Sequence, residues 1–310
     1  MRVNQTNRPQ GRRITELRNP RSTALDTKST IEILRIINRE DRKVAGSVAR
    51  VIPQIARAVE LAVAALAKGG RLVYLGAGTS GRLAVLDAAE CIPTFGTEQV
   101  VAVMAGAPGA MFRPSEVSED DPKLGVRDLR RIKFSRRDVL VGISASGRTP
   151  YVVGGLRYAK RLGAGTVLLT ANPAAEARPF AGVTIAPVVG PEVIAGSTRL
   201  KAGTAQKLVL NMVSTAAMVR LGRVFSNLMI QLQSTNTKLR KRAEGILMEA
   251  TGVTAARART ALGRAGNQLP VALLMLAKAI EKDEAMALLQ AGPTTAEVVR
   301  RVLAETRGRA

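Results

Sequence analysis

Hydrophobic and polar positions change their spacing several times along the chain. Residues 1–28 are polar and Arg-rich and contain two prolines, which predicts an extended arm. At Ser29 the sequence Ser-Thr-Ile-Glu is a capping box, and the apolar residues after it recur at helical spacing. A second helix is predicted over about residues 43–68, ending at Gly69-Gly70. Two helices are therefore expected before the pattern changes.

The middle of the chain alternates short apolar runs with helical segments. The predicted strands are 71–75, 99–104, 138–143, 166–170 and 183–189, and the predicted helices are 81–89, 150–162 and 202–221. The strands are β-branched and lack apolar–polar alternation, so both faces of the sheet are expected to be buried. This predicts an α/β domain over residues 29–233, with a mostly parallel sheet between layers of helices. Helical spacing returns near Ser234 and predicts a small helical subdomain over 234–310.

Two Gly- and hydroxyl-rich loops each lie between a predicted strand and a predicted helix. The first loop, residues 76–82, reads Gly-Ala-Gly-Thr-Ser-Gly-Arg, and the second loop, residues 144–149, reads Ser-Ala-Ser-Gly-Arg-Thr. Glycine allows close approach to a ligand, and a helix N-terminus presents free N–H groups to an anion. We therefore predict a site for a phosphorylated small molecule. The candidate contacts are Gly78, Thr79, Ser80, Ser144, Ser146, Gly147 and Thr149.

The first loop also satisfies the dinucleotide pattern G-x-G-x-x-G through Gly76, Gly78 and Gly81. That pattern requires an acidic residue at the end of the second strand, where it binds the ribose hydroxyls. The second predicted strand ends in Val-Met-Ala-Gly at 103–106, with no acid. A monophosphate is therefore favoured over NAD.

A third stretch, residues 196–207, places hydroxyl groups beside basic residues just before a predicted helix. It could be a capped basic helix start or a further part of the ligand site. Its position beside two phosphate-type loops favours the ligand role. The additional candidates are Ser197, Thr198 and Lys201.

The formal net charge of +23 raises the possibility of nucleic-acid binding. The charge is spread over the chain without a stripe of interleaved aromatics, so a solvated basic surface that attracts anionic substrates is favoured. Histidine is absent and Cys91 is the single cysteine, which excludes His-based catalysis and an intrachain disulfide. No metal or cofactor is expected. Because neither an export signal nor a membrane-length apolar run is present, we expect a cytoplasmic location.

The second loop resembles the S-x-S-G-x-T turn of sugar isomerase (SIS) domains, which bind phosphosugars. More specifically, almost the whole chain resembles the N-acetylmuramic acid 6-phosphate etherases. The matching stretches are 36–41, 70–83, 86–91, 144–151 and 203–211. The resemblance implies an SIS-type three-layer sandwich and a homodimer with sites near the subunit interface.

The implied activity is that of a carbon–oxygen lyase in amino sugar catabolism. It cleaves the D-lactyl ether of N-acetylmuramic acid 6-phosphate by elimination and water addition, giving N-acetylglucosamine 6-phosphate and D-lactate. The alternative from the same fold family is a non-catalytic phosphosugar-binding regulator like the glucokinase regulatory protein. A nucleic-acid-binding regulator is disfavoured, since no helix-turn-helix pattern stands out in the first 70 residues.

The resemblance places the catalytic carboxyl groups on Glu90 and Glu119. Glu90 lies in a matching Asp-Ala-Ala-Glu-Cys stretch, although Ile92 replaces the first of two family prolines. The segment around Glu119 departs from the family's usual Val-Glu-Gly-Ala-Glu-Asp, and the alignment selects Glu119 over Glu116. We assign Glu90 as the acid for the lactyl oxygen and Glu119 as the base at carbon 2; the reverse assignment stays open.

The spacing between Ser80 and Glu90 adds a further expectation. Ten residues of unbroken helix span about 15 Å, which exceeds the distance between the phosphate and carbon 3 of one sugar. We therefore expect either a helix bend before Glu90 or a site shared between two protomers.

Overall fold

The computed structural model describes residues 14–113, 118–232 and 236–307. These residues form two compact units. The first comprises residues 14–87 and 101–213, and the second comprises 88–100 and 214–307. Within these described ranges, no helix is both long enough and apolar enough to span a bilayer.

A five-stranded sheet forms the centre of the first unit in the described part of the chain. Its strands are β1 Leu72–Gly76, β2 Val100–Met104, β3 Val139–Ile143, β4 Gly165–Leu169 and β5 Val183–Ile185. The order is β2-β1-β3-β4-β5, and the β1–β3, β3–β4 and β4–β5 pairs are parallel. All five strand predictions are confirmed, with ends shifted by one residue except in the fifth. That strand stops at Ile185 and not at Val189.

Both faces of this sheet are buried, as the lack of alternation predicts. Val73 and Leu75 of β1 belong to an apolar cluster that includes Val152 and Leu156 of the helix after the second loop. Tyr74, which alternates with them and so points to the opposite face, is also fully buried. The sheet therefore lies between two covering layers, as in a three-layer α/β sandwich.

Six helices of the described residues begin within the first unit. They are α1 Thr30–Ala49, α2 Ile52–Ala67, α3 Gly78–Phe95, α4 Pro122–Arg131, α5 Pro150–Arg161 and α6 Lys201–Arg220. The capping box at Ser29 is confirmed. The predicted division at residue 43 is wrong, because α1 continues to Ala49 and α2 begins only at Ile52. Pro53 lies in the first turn of α2, where a missing N–H is tolerated.

Helix α4 is absent from the sequence prediction. Its start is set by Asp121, whose side chain accepts the Lys123 N–H, and by Pro122 in the first turn. Gly125 brings α4 into close contact with α5, because a Cβ added there would lie 2.2 Å from the Tyr151 carbonyl oxygen. This tight packing holds the chain that enters α4 beside the start of α5.

Residues 14–28 do not form the predicted extended arm. They fold into three short 3-10 turns at Ile14–Glu16, Pro20–Ser22 and Leu25–Thr27. The buried Asn19 Nδ2 donates to Glu40 Oε2 at 2.9 Å and to the Pro191 carbonyl at 3.1 Å. These side-chain hydrogen bonds attach the segment to the first unit, which its polar composition alone does not indicate. Residues 1–13 of the predicted arm lie outside the described residues.

The second unit is helical and has its own apolar core. Five of its helices are α7 Thr237–Thr251, α8 Ala255–Arg264, α9 Leu269–Lys278, α10 Lys282–Ala291 and α11 Thr295–Arg307. Gly252 and Asn267 both adopt positive φ, and each lies between two of these helices. Helix α9 is buried along most of its length, and the other helices surround it.

Candidate active site

The first loop connects β1 to α3 by a very tight turn. A Cβ on Gly76 would lie 2.8 Å from the Gly81 nitrogen, and a Cβ on Gly81 would lie 2.5 Å from Met104 Cγ. Gly78 has φ +53°, a backbone conformation that favours glycine. These glycines let α3 begin directly at the carboxyl edge of the sheet. The G-x-G-x-x-G pattern is therefore explained by packing without any dinucleotide.

Ser80 connects the first loop to α6. It is largely buried, and its hydroxyl donates to Gln206 Oε1 at 3.0 Å. A Cβ on Gly203 would lie 3.5 Å from Thr79 Cγ2 and 3.4 Å from the Thr198 carbonyl oxygen. The structure therefore brings the third stretch against the first loop, as expected for parts of one site.

The second loop is organised by Ser144. Its buried Oγ accepts the Gly147 N–H at 3.0 Å and lies 2.8 Å from Thr149 Oγ1, with which it shares a hydrogen bond. Ser146 Oγ accepts the Arg148 N–H at 3.3 Å and is only half-buried. Ser144 thus shapes the loop from inside, whereas Ser146 and Thr149 retain exposed surface for a ligand.

Glu119 lies between these two loops. A Cβ on Gly78 would lie 3.0 Å from Glu119 Oε1, so the carboxylate packs directly against the first loop. The Glu119 carbonyl accepts the Tyr151 N–H at 3.1 Å, two residues after the second loop. Since β1 and β3 are neighbours in the sheet, both loops and this carboxylate occupy one edge. Glu116, the alternative, lies outside the described residues.

Lys201 is not placed as a phosphate ligand. Its side chain is 1% exposed, and Nζ donates to Glu40 Oε2 at 2.7 Å. Burial raises the pKa of Glu40, but hydrogen bonds from Lys201, Lys43 and Asn19 outweigh it and lower the pKa to about 2. The ammonium group is thus engaged in a buried ion pair. The structure does not support the prediction that Lys201 contacts the phosphate.

The N-terminus of α6 is capped by a carboxylate from elsewhere in the chain. Glu192 Oε2 accepts the Lys201 N–H at 3.0 Å, and its Oε1 accepts the Ala202 N–H at 2.9 Å. Burial raises the pKa of Glu192, although both N–H groups favour its charged form. The anion-binding helix start is therefore filled by the protein itself. Ser197 and Thr198 lie half-buried in the preceding turn, and their ligand role stays a prediction.

Glu90 is exposed and lies in the second unit. Its carbonyl accepts the Thr94 hydroxyl at 2.7 Å, a bond within α3. Helix α3 runs from Gly78 to Phe95, so Ser80 and Glu90 lie on one continuous helix, and both alternatives, a bend before Glu90 and a shared site, stay predictions. The role of Glu90 stays a prediction.

Two polar residues that sequence analysis missed hold the helices of the first unit. Asp87 of α3 accepts the buried Tyr74 hydroxyl at 2.9 Å and the Asn211 side-chain amide at 2.6 Å, connecting β1, α3 and α6. Gln206 connects α6 to Ser80. Their only sequence signal is that they lie inside stretches that match the resembled family. Among the described residues, no group of three or more acidic or cysteine side chains could hold a metal.

Comparison with known proteins identifies relatives over most of the chain. Residues 54–160 match the model of the glucokinase regulatory protein N-terminal SIS domain. The N-acetylmuramic acid 6-phosphate etherase of Edwardsiella ictaluri is 53% identical over 279 residues, covering 89% of this chain and 93% of that protein. The etherase of Mesorhizobium japonicum is 51% identical over 278 residues, covering 89% and 91%.

Solved structures agree on the fold. The phosphoheptose isomerase from Neisseria gonorrhoeae has a TM-score of 0.50 and 18% identity, covering 61% of this chain and 98% of that chain. At this identity the likeness concerns the fold alone. It confirms the predicted SIS architecture of the sheet-containing part.

Proposed function

We propose that this chain, which belongs to the family of N-acetylmuramic acid 6-phosphate etherases, cleaves the D-lactyl ether of N-acetylmuramic acid 6-phosphate. The products are N-acetylglucosamine 6-phosphate and D-lactate, as expected for a carbon–oxygen lyase of amino sugar catabolism in the cytoplasm. The observation that carries the proposal is the Glu119 carboxylate packed against Gly78, between two hydroxyl-rich loops.

The phosphate is proposed to bind at the starts of α3 and α5. The first turn of α3 offers backbone N–H groups and the positive end of the helix dipole. Ser80, Ser146 and Thr149 add hydroxyl donors. Because these groups are neutral, the basic surface of the chain acts mainly by attracting the anion.

The two proposed carboxyl groups divide the elimination between them. In the open-chain sugar, Glu119 takes the proton from carbon 2, and the electron pair forms the carbon 2–carbon 3 double bond. The carbon 3–oxygen bond breaks, and Glu90 gives its proton to the departing lactate oxygen. Water then adds across the double bond, with hydroxyl at carbon 3 and hydrogen at carbon 2. Carboxyl groups with different pKa values can perform both steps without histidine.

The active protein is proposed to be a homodimer with shared sites. Ser80 and Glu90 are about 15 Å apart along the continuous α3, farther than one substrate reaches between phosphate and carbon 3. A partner subunit that supplies Glu90 removes this conflict. Mixing a Glu90→Ala chain with a Ser80→Ala chain should restore part of the activity. Mixed dimers that form without any recovery would contradict sharing.

The central experiment measures D-lactate released from N-acetylmuramic acid 6-phosphate by the purified full chain. We expect turnover without added cofactor. If the folded chain binds the substrate but releases no D-lactate, the etherase proposal is wrong and a binding function replaces it.

A further inference from the structure

Gln206 carries a buried polar atom that the fold leaves without a partner. The residue is 3% exposed, and its Oε1 accepts the Ser80 hydroxyl at 3.0 Å. Its Nε2 has no hydrogen-bond partner anywhere in the described ranges of the chain. A buried N–H without a partner is energetically costly, which makes this amide a candidate for a role in ligand binding.

The direction of the Ser80–Gln206 hydrogen bond matters for phosphate binding. A serine hydroxyl has one proton, and Ser80 gives it to the Gln206 carbonyl. A phosphate dianion offers only acceptors, so Ser80 cannot donate to it in this arrangement. Ser80 is nevertheless one of the two hydroxyl residues, with Thr79, in the first turn of α3, where the phosphate is proposed to bind.

A half-turn of the Gln206 amide removes this conflict. The amide oxygen and nitrogen have nearly the same size, so exchanging them requires no repacking. After the exchange, Nε2 donates to Ser80 Oγ, and the Ser80 proton is free to point at the phosphate. Hydrogen bonds to a charged acceptor are about twice as strong as neutral ones, which favours the exchanged state when phosphate is present.

We propose that Gln206 is a positioning residue that turns its amide when the substrate binds and thereby directs the Ser80 hydroxyl at the 6-phosphate. This inference rests on the proposed phosphate site. Lys201, the basic residue one turn earlier on α6, is held by Glu40 and cannot perform this task. The α6 contribution to phosphate recognition is therefore a neutral amide acting through Ser80.

The test is Gln206→Glu, with Gln54→Glu as its matched control. Glutamate keeps the size of glutamine, but its carboxylate only accepts, so it holds the Ser80 proton and repels the phosphate. The KM for N-acetylmuramic acid 6-phosphate and the Ki for inorganic phosphate should rise roughly 10- to 100-fold, with little change in kcat. Affinity should partly return at lower pH, where the introduced carboxyl group gains a proton that it can donate. A purely structural role would not produce this pH dependence.

Gln54 is a suitable control because its Oε1 is likewise buried without a partner among the described residues, yet it lies on α2. Gln54→Glu should change neither constant. Gln206→Met, which removes both amide atoms, should weaken phosphate binding less than Gln206→Glu does. In the Ser80→Ala background, Gln206→Met should have no further effect on Ki, since Gln206 acts through Ser80.

The outcomes separate two failures. If Ser80→Ala leaves the KM and the Ki unchanged, the proposed phosphate site itself is wrong. If Ser80→Ala raises both while Gln206→Glu raises neither, only the positioning role is overturned. Independent, additive effects of Ser80→Ala and Gln206→Met on Ki also overturn it. If Gln206→Glu does not fold, the Gln206→Met comparison decides the question.

Discussion

Lys201 and Gln206 lie five residues apart on α6, and both are buried polar side chains. They differ in how completely their polar atoms are paired. The Lys201 ammonium is paired with Glu40, and its backbone N–H is capped by Glu192. Gln206 accepts one hydrogen bond from Ser80, and its Nε2 has no partner among the described residues. The charged residue, which the sequence suggests as a phosphate ligand, is held in a buried ion pair, while the neutral residue contacts Ser80 of the first loop.

The difference is the reason why we propose a phosphate site built from neutral groups in a strongly basic chain. A buried cation is stable only when its charge is compensated, so Lys201 requires Glu40, and its side chain is only 1% exposed. Amides and hydroxyls need no counter-charge, and they can exchange one partner for another at small cost. On α6, the number of filled hydrogen-bond partners therefore distinguishes a structural residue from a proposed binding residue better than charge does.

The largest expected effect concerns the proposed site, to which Gln206 is connected through Ser80. Glu119→Gln keeps the shape of the side chain but removes the proposed base beside Gly78. We expect kcat for D-lactate release to fall by about 10²- to 10⁴-fold, with the fold intact by circular dichroism.

Glu116→Gln is the matched control in the same acidic stretch of sequence and should retain activity. If Glu116→Gln abolishes turnover and Glu119→Gln does not, the alignment that selects Glu119 is wrong.

The structural role of the Lys201–Glu40 ion pair is tested by Lys201→Met. Removing one partner of a buried ion pair leaves Glu40 charged and uncompensated, which should lower the free energy of unfolding by about 3–5 kcal/mol. Urea denaturation measures this loss. Lys207→Met, an exposed position on the same helix, should change it by less than about 0.5 kcal/mol.

The Ki for inorganic phosphate should be unchanged in the Lys201→Met protein that is still folded. A large increase in Ki with little loss of stability would return Lys201 to the phosphate site.

The contribution of this ion pair to the free energy of unfolding depends on pH through Glu40, and this part is smaller. Its pKa is lowered to about 2 from an ordinary 4.5, so its charge stabilises the fold fully above pH 4.5. This stabilisation is lost as the pH falls from 4.5 towards 2. The difference in unfolding free energy between the native chain and Glu40→Gln should therefore shrink across this window.

Glu192 acts with the opposite sign, because burial raises its pKa and protonation favours the folded state. It is present in both proteins, so it largely cancels in the difference. A difference that stays constant from neutral pH down to 2 would show that Glu40 is not the charged partner described here.

The sequence predicted the sheet well because strands buried on both faces have an apolar signature of their own. It predicted both loops because glycine and hydroxyl residues at a strand-to-helix turn are typical of anion-binding loops. The 3-10 turns at residues 14–28 were missed, since Asn19 attaches them through contacts distant in sequence. Helix α4 was missed although Asp121 and Pro122 form a local start signal, and its close packing on α5 at Gly125 is not visible in the sequence. The partners of Lys201 lie 161 and 9 residues away, so no local pattern distinguishes it from a ligand.

The smallest expected effect distinguishes the two serines of the second loop. Ser144 is expected to act mainly in the fold, like Lys201, and Ser146 mainly in ligand binding, like Gln206. Ser144 is buried, and its Oγ accepts the Gly147 N–H at 3.0 Å and shares a hydrogen bond with Thr149 Oγ1 at 2.8 Å. Ser144→Ala removes both of these side-chain hydrogen bonds, while the Gly147 N–H keeps its bond to the Ser144 carbonyl. We expect Ser144→Ala to lower the free energy of unfolding by about 1 kcal/mol and also to raise KM, because the loop loses its shape. Ser146→Ala removes a half-buried hydroxyl and should raise KM with almost no change in stability. Denaturation curves and KM values measured on both variants check this division. Equal stability losses in the two proteins would contradict it, because they would give the two hydroxyls one shared structural role.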